Sequence, residues 1–209
     1  MKIVVRSMKQ LILEKATEGF ITYGFKSFTT DDLVHQMGIS KKTLYGYFKS
    51  KDILIGECLY FIISNVNSCY SILKEGNNII EDVFDKMEQM AMTFKITNNR
   101  PVWELKKYYP KIYQKFAPRF KNLDYNYIEQ LITRGLKEKV FREDIDLQFV
   151  QAFYHGMQEV RQKTEIYPED QFNIWKVITY HNIYLLRILC NPKGIEILEK
   201  IILEKNLKS

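Results

Sequence analysis

The stretch that most constrains the chain runs from Thr29 to Leu54 and reads TTDDLVHQMGISKKTLYGYFKSKDIL. Thr29 followed three residues later by Asp32 is a capping-box pattern, in which each side chain satisfies the other residue's backbone amide. A helix is therefore expected to open there, with Leu33, Val34 and Met37 on its buried face. Gly38 ends it, because glycine enters the left-handed conformation that closes a helix with little steric cost. Ser40 is the next N-cap. Lys41 to Phe48 then form a short helix whose Leu44 and Phe48, spaced i, i+4, face inward, leaving Lys41, Lys42, Thr43, Tyr45 and Tyr47 to point elsewhere. Ser50 caps a third helix, with Asp52 in its first turn where a carboxylate meets the positive end of the helix dipole.

Two short helices joined by a glycine-containing turn make a helix-turn-helix, whose second member is narrow enough to enter a major groove. Between Leu33 and Lys51 the chain carries four lysines (41, 42, 49 and 51) and no acid. The net charge of +6 is concentrated at this end: nine basic residues against five acidic ones through Asp52 give +4. Such a face attracts the phosphates of nucleic acid. A solvated basic face on an ordinary helical hairpin has the same composition.

Ile12, Ala16 and Phe20, the run YGFKSFTTDDL, the turn MGIS and the run KKTLYGYFKSKDIL closely resemble the amino-terminal domain of the tetracycline-repressor (TetR) family of transcriptional regulators. Leu44 to Lys51, in the pattern LYxYFxSK, is the most specific part. Beyond Leu59 the likeness is one of helical layout only. The resemblance implies an all-α protein: a three-helix DNA-binding domain over residues 1–52, joined by a long helix to a helical effector-binding and dimerisation bundle over residues 53–209. It implies a homodimer that binds a palindromic operator in double-stranded DNA as a repressor and is released by a small lipophilic effector. By matching positions it turns Lys42, Thr43, Tyr45 and Tyr47 toward the groove, beside Lys41, and sets Thr30 and Lys51 on phosphates. It lays the start of the first helix, with Arg6 and Lys9, along the DNA backbone. Asp31 departs from the pattern, since family members often carry a basic residue there.

No later stretch alternates apolar and polar residues long enough to suggest a sheet, so helices are expected throughout. The spacing predicts helices over Arg6–Tyr23, Ser50–Leu73, Ile79–Thr97, Val102–Tyr108, Lys111–Phe116, Pro118–Val140, Leu147–Ile166, Glu169–Leu189 and Lys193–Asn206. The longest uncharged run, Cys58 to Leu73, has 16 residues and is too short and polar to span a bilayer. With no secretory signal at the amino terminus, the chain is expected in the cytoplasm. The three cysteines, 58, 69 and 190, read as reduced core residues.

Catalytic constellations are nearly absent: the three histidines, 35, 155 and 181, are dispersed, and no glycine loop, GxSxG or HExxH is present. Neither an enzyme, a metal site nor a cofactor is expected. The later helices instead supply methionines and aromatics suited to a lipophilic guest. The resemblance implies a pocket among them, with Met90, Phe94, Trp103, Tyr113, Tyr127 and Phe153 as its lining. It also implies dimerisation through the helices expected over 147–166 and 169–189, where Phe149, Phe153, Met157 and Val160 form a stripe. Two other readings fit the residues: a helical module that binds a protein through its basic face, and a DNA-binding dimer with a filled core and no effector.

Overall fold

The computed structural model describes residues 7–71, 77–94, 100–163, 165–168 and 170–207, the side chains at 69–71, 94 and 100 excepted. Among these residues there are ten helices and no strand, only an isolated bridge between Phe141 and Cys190. The helices are α1 (Met8–Tyr23), α2 (Thr30–Met37), α3 (Lys41–Tyr47), α4 (Lys51–Ser71), α5 (Ile79–Phe94), α6 (Arg100–Tyr108), α7 (Pro110–Lys137), α8 (Leu147–Arg161), α9 (Ile174–Leu189) and α10 (Pro192–Glu204). None is long and apolar enough to cross a membrane. The chain divides into two compact units, one of Met1–Val66 and Phe94–Pro118, the other of Asn67–Thr93 and Arg119–Ser209.

In the first unit, α1 begins at Met8 because Ser7 caps it: the Ser7 hydroxyl accepts from the Gln10 amide, and the Gln10 side chain accepts from the Ser7 amide. Ile12, Ala16 and Phe20 are buried, whereas Met8, Leu11 and Tyr23, which recur with them at three- and four-residue steps, remain substantially exposed. Phe20 stacks on Phe25 and meets Phe28 edge-on, with ring centroids 5.1 and 5.7 Å apart. Burying rings of this size contributes roughly 1.5–3 kcal/mol each and pins the α1–α2 loop to the core. Gly24 closes α1 at φ +102°, and a Cβ there would lie 2.3 Å from the Glu104 carboxylate, so both backbone and neighbour require glycine.

The core of the second unit gathers Ile80 and Phe84 of α5, Ile128 and Leu131 of α7, Leu186 and Leu189 of α9 and Leu198 of α10. One buried ionic group organises its α5–α7 edge. The Arg134 guanidinium donates to Asp82, to Glu138 at 2.5 Å and to the Asn77 carbonyl at 2.5 Å. The other Glu138 oxygen accepts from the Ile79 amide at 2.8 Å, which satisfies a donor at the start of α5.

Four of the expected helices have clearly different bounds. The break expected between Phe116 and Pro118 is absent, and α7 runs on with Pro118 inside it. Proline removes one i→i−4 bond, but Gln114 and Pro118 are both exposed, so water can take the carbonyl that loses its partner. The helix expected over 147–166 stops at Arg161, and the one expected from Glu169 starts at Ile174. Between them Pro168 accepts from the Phe172 amide at 2.8 Å, and Asn173, a better cap than any earlier candidate, accepts from the Trp175 amide. The ends expected at Leu73 for α4 and Thr97 for α5 lie outside the described residues.

Candidate nucleic-acid interface

Local chemistry positions the α2–α3 pair. Thr29 and Asp32 form the reciprocal capping box, Thr29 Oγ1 accepting from the Asp32 amide at 3.1 Å and Asp32 from the Thr29 amide at 2.8 Å. The Thr29 hydroxyl, donating at 2.6 Å, and then the Thr29 amide hold the Asp32 carboxyl below its ordinary range. Gly38 adopts φ +63°, ψ +30°, and the Ile39 amide reaches back to the Val34 carbonyl at 3.1 Å. Ser40 then caps α3, its hydroxyl accepting from the Thr43 amide at 3.0 Å.

Leu44 and Phe48 are each only 1% exposed and anchor α3. Rotation of the helix is thereby fixed, and Tyr45 and Tyr47, at 38% and 45%, stand outside with Lys41, Lys42 and Gly46. Thr43 is half-buried against the cap. The Tyr45 hydroxyl lies 3.4 Å from Thr30 Oγ1, which joins the first residue of α2 to the outer face of α3. The structure thus brings Thr30 beside Tyr45, with Lys41, Lys42 and Tyr47 also exposed along α3. Lys9 is exposed on α1, its ammonium 5.7 Å from the centre of the Phe48 ring; Arg6 lies outside the described residues.

Two charges in this region have partners that spacing did not indicate. Asp31 accepts from Lys41 at 2.6 Å, which raises the lysine's pKa and neutralises part of the basic face. Lys51 turns toward the protein: its ammonium donates to the Phe28 carbonyl at 2.7 Å and faces the Phe20 and Tyr109 rings. Burial, and secondarily Lys26, pulls its pKa down.

Glu104 of α6 is the functional neighbour that sequence reasoning missed. Its carboxylate is 2% exposed and accepts from the Lys26 amide at 2.6 Å, the Ser27 amide at 3.1 Å and the Ser27 hydroxyl at 2.6 Å. One α6 side chain therefore holds the loop that leads into α2. The only signal available was that Glu104 is the sole acid between residues 94 and 118.

The residues expected to line an effector pocket are spread along the chain. Trp103 and Tyr113 belong to the first unit, and Met90, Tyr127 and Phe153 to the second. Met90 and Tyr113 are half-buried, Trp103 is exposed beneath the Lys107 ammonium, and the Phe94 side chain lies outside the described residues. Tyr127 is buried against Tyr154, centroids 5.5 Å apart, while Phe153 faces outward on α8. Elsewhere His155 pairs with Asp124 at 2.8 Å and His181 with the Tyr167 hydroxyl at 2.8 Å. Among the described residues no group of three or more His, Cys, Asp or Glu could hold a metal ion. Cys58 is buried, and its thiol is pushed up to about 12 by that burial.

Residues 12–58 match the family model described as bacterial regulatory proteins, tetR family. The chain is 32% identical over 87 residues to the HTH-type transcriptional regulator YvaF of Bacillus subtilis (strain 168), covering 40% of this chain and 45% of that protein. It is 41% identical over 49 residues to YhgD of the same strain, covering 23% and 26%. The matched region thus spans less than half the length of either curated relative. The fold extends further: the crystal structure of reduced E. coli NemR superposes with a TM-score of 0.63 at 12% identity, covering 89% of this chain and 99% of that one.

Proposed function

We propose that this chain, whose residues 12–58 match the model of the tetR family of bacterial regulatory proteins, is a helix-turn-helix transcriptional regulator of that kind, a homodimeric repressor released from a palindromic operator by a small lipophilic effector. The observation that carries the DNA-binding part is the rotation of α3: Leu44 and Phe48 are buried, so Lys42, Tyr45 and Tyr47 are offered to a groove. In this reading Lys42, Thr43, Tyr45 and Tyr47 meet base edges, which specify sequence, while Thr30, Lys41, Lys9 and Arg6 meet phosphates, which position the protein. Lys51 joins the second group if its ammonium is shared with, or swings away from, the Phe28 carbonyl. Two copies of α3 about one DNA turn apart, ~34 Å or a multiple, read the two half-sites.

Dimerisation is supported by apolar side chains that the second unit leaves in water. Phe149 is 69% exposed, Phe153 follows one turn later, and a Cβ at Gly156 would meet open space. Tyr184 and Ile188 are exposed on α9, whereas Ile183 and Leu186 are internal. These groups suit a second copy, with α8 over 147–161 and α9 over 174–189 as the packing helices. Functionally the chain divides into residues 1–52 for DNA and 53–209 for dimerisation and effector binding.

Release requires the effector to bind one arrangement of the reading heads better than another. A tenfold loss of operator affinity needs only about 1.4 kcal/mol of coupling. α4, which leads out of the DNA-binding segment, and α6, whose Glu104 grips the α1–α2 loop, are the two levers available. Titrating labelled operator with the protein tests the assignment. Tyr45→Ala and Lys42→Ala should each weaken binding at least tenfold while the fold melts normally; unchanged affinity and sequence preference in both would overturn it. Phe149→Glu with Tyr184→Glu should sediment as a monomer. Lipophilic compounds that raise the melting temperature should release the operator at the same concentrations.

A further inference from the structure

The stretch from Phe94 to Pro118 carries six cationic residues, Lys95, Arg100, Lys106, Lys107, Lys111 and Lys115, and one acid, Glu104. That acid is buried, and its oxygens are taken by the α1–α2 loop. The outer surface of α6 and the start of α7 is thus left cationic. Lys107 and Lys111 are exposed, as is Lys26 on the loop that Glu104 grips. Exposed aromatics lie among them: the Tyr108 ring has Lys107 at 5.4 Å on it and Lys26 at 5.7 Å, and Trp103 has Lys107 at 4.5 Å.

All of this lies in the same compact unit as α2 and α3. Lys26 is four residues before Thr30, so their Cα atoms cannot be more than about 14 Å apart. A duplex presents a phosphate about every 1.7 Å along its axis, and one seated against Thr30 and α3 has further phosphates within reach of Lys26. We propose that Lys26, Lys107 and Lys111 form a second backbone-binding surface that holds phosphates of the same duplex beyond those met by α2 and α3. The surface supplies affinity without sequence information. The rings of Trp103 and Tyr108 hold Lys107 and Lys26 extended toward it. Glu104 serves as the positioning residue, because it fixes α6 to the loop and so places lysines from two distant segments side by side.

The inference rests on the DNA-binding reading above, and its test separates the two. The probe is a duplex selected by the wild-type protein, and the comparison is the full-length chain with Lys26→Gln, Lys107→Gln and Lys111→Gln combined. The log of the binding constant falls with log salt by about 0.9 for each phosphate neutralised, so the triple variant should lose roughly 2–3 from that slope per bound copy. Ethylation of individual phosphates should block wild-type binding at one set of positions beside the recognised bases, and that set should fall silent in the variant while the base preference stays unchanged. The three-arginine variant should restore both, which distinguishes lost contacts from misfolding. An unchanged slope with an unchanged ethylation pattern overturns the second surface and leaves the first intact. Uniform weakening at every phosphate, with no set lost, overturns it as well, since that is a long-range field rather than a contact. Failure of the wild-type protein to bind any duplex defeats both readings together.

Discussion

Replacing Glu104 by alanine removes the acceptor shared by three donors of the α1–α2 loop, the Lys26 and Ser27 amides and the Ser27 hydroxyl, at 2.6, 3.1 and 2.6 Å. Hydrogen bonds to a charged group contribute about 1.5–3 kcal/mol each. Taking a carboxylate that is 2% exposed out of water offsets much of that sum. Lys26 and Ser27 are exposed residues, so water can reach part of what alanine abandons. The net loss expected is therefore about 2–4 kcal/mol for Glu104→Ala. Glutamine keeps the volume and one acceptor oxygen but turns an amide toward donors, and should lose about half as much. For a chain of this size about 1 kcal/mol moves the melting temperature by about 2–4 °C, so the alanine variant should melt roughly 5–15 °C lower in the transition that includes the first unit. Amide exchange at Lys26 and Ser27 should accelerate more than exchange in the second unit. An alanine variant that melts with the wild type and protects both amides equally would refute the proposed anchor.

Removing the carboxylate of Asp31 frees Lys41 from its 2.6 Å partner; Asp31→Asn should bind duplex DNA more tightly, with the salt slope steeper by up to about 0.9 per copy. Arg134→Ala strands the nearly buried Asp82 carboxylate, and a broken buried pair costs about 3–5 kcal/mol, visible as a lower urea midpoint for the second unit. Burial, and then Arg161, lowers the pKa of His181 below its ordinary 6.5. The folded state therefore favours neutral imidazole, and the associated stability is present above pH 6.5 and lost on acidification through the lowered value. His181→Gln should flatten that acid limb of the melting temperature against pH.

The helix-turn-helix was legible because its determinants are local. Thr29 and Asp32 cap each other, Gly38 takes the left-handed turn, and Leu44 and Phe48 share one face, and each follows from neighbours within four residues. What escaped depends on partners far along the chain. Pro118 reads as a helix break until its exposed setting shows that water can take the Gln114 carbonyl left without a donor. The Phe28 carbonyl that takes the Lys51 ammonium lies 23 residues earlier, beyond the reach of any local pattern. Asp31 is an anomaly in helix two until α3 brings Lys41 to it. Glu104 is one charged residue in a basic helix, and nothing before folding indicates that loop amides 77 and 78 positions earlier will enclose it. The outward turn of Met8, Leu11 and Tyr23 has the same origin: periodicity marks an apolar side, and packing decides how much of it is covered.

Selection of bound fragments from random duplex DNA at low ionic strength, followed by sequencing and a count of protein copies per duplex, tests the central claim directly. The account predicts an inverted repeat with half-site centres about 10.5 base pairs or a multiple apart, occupied by two copies, with enrichment lost in Tyr45→Ala. A protein that enriches no sequence and binds no duplex even when salt is lowest would contradict it.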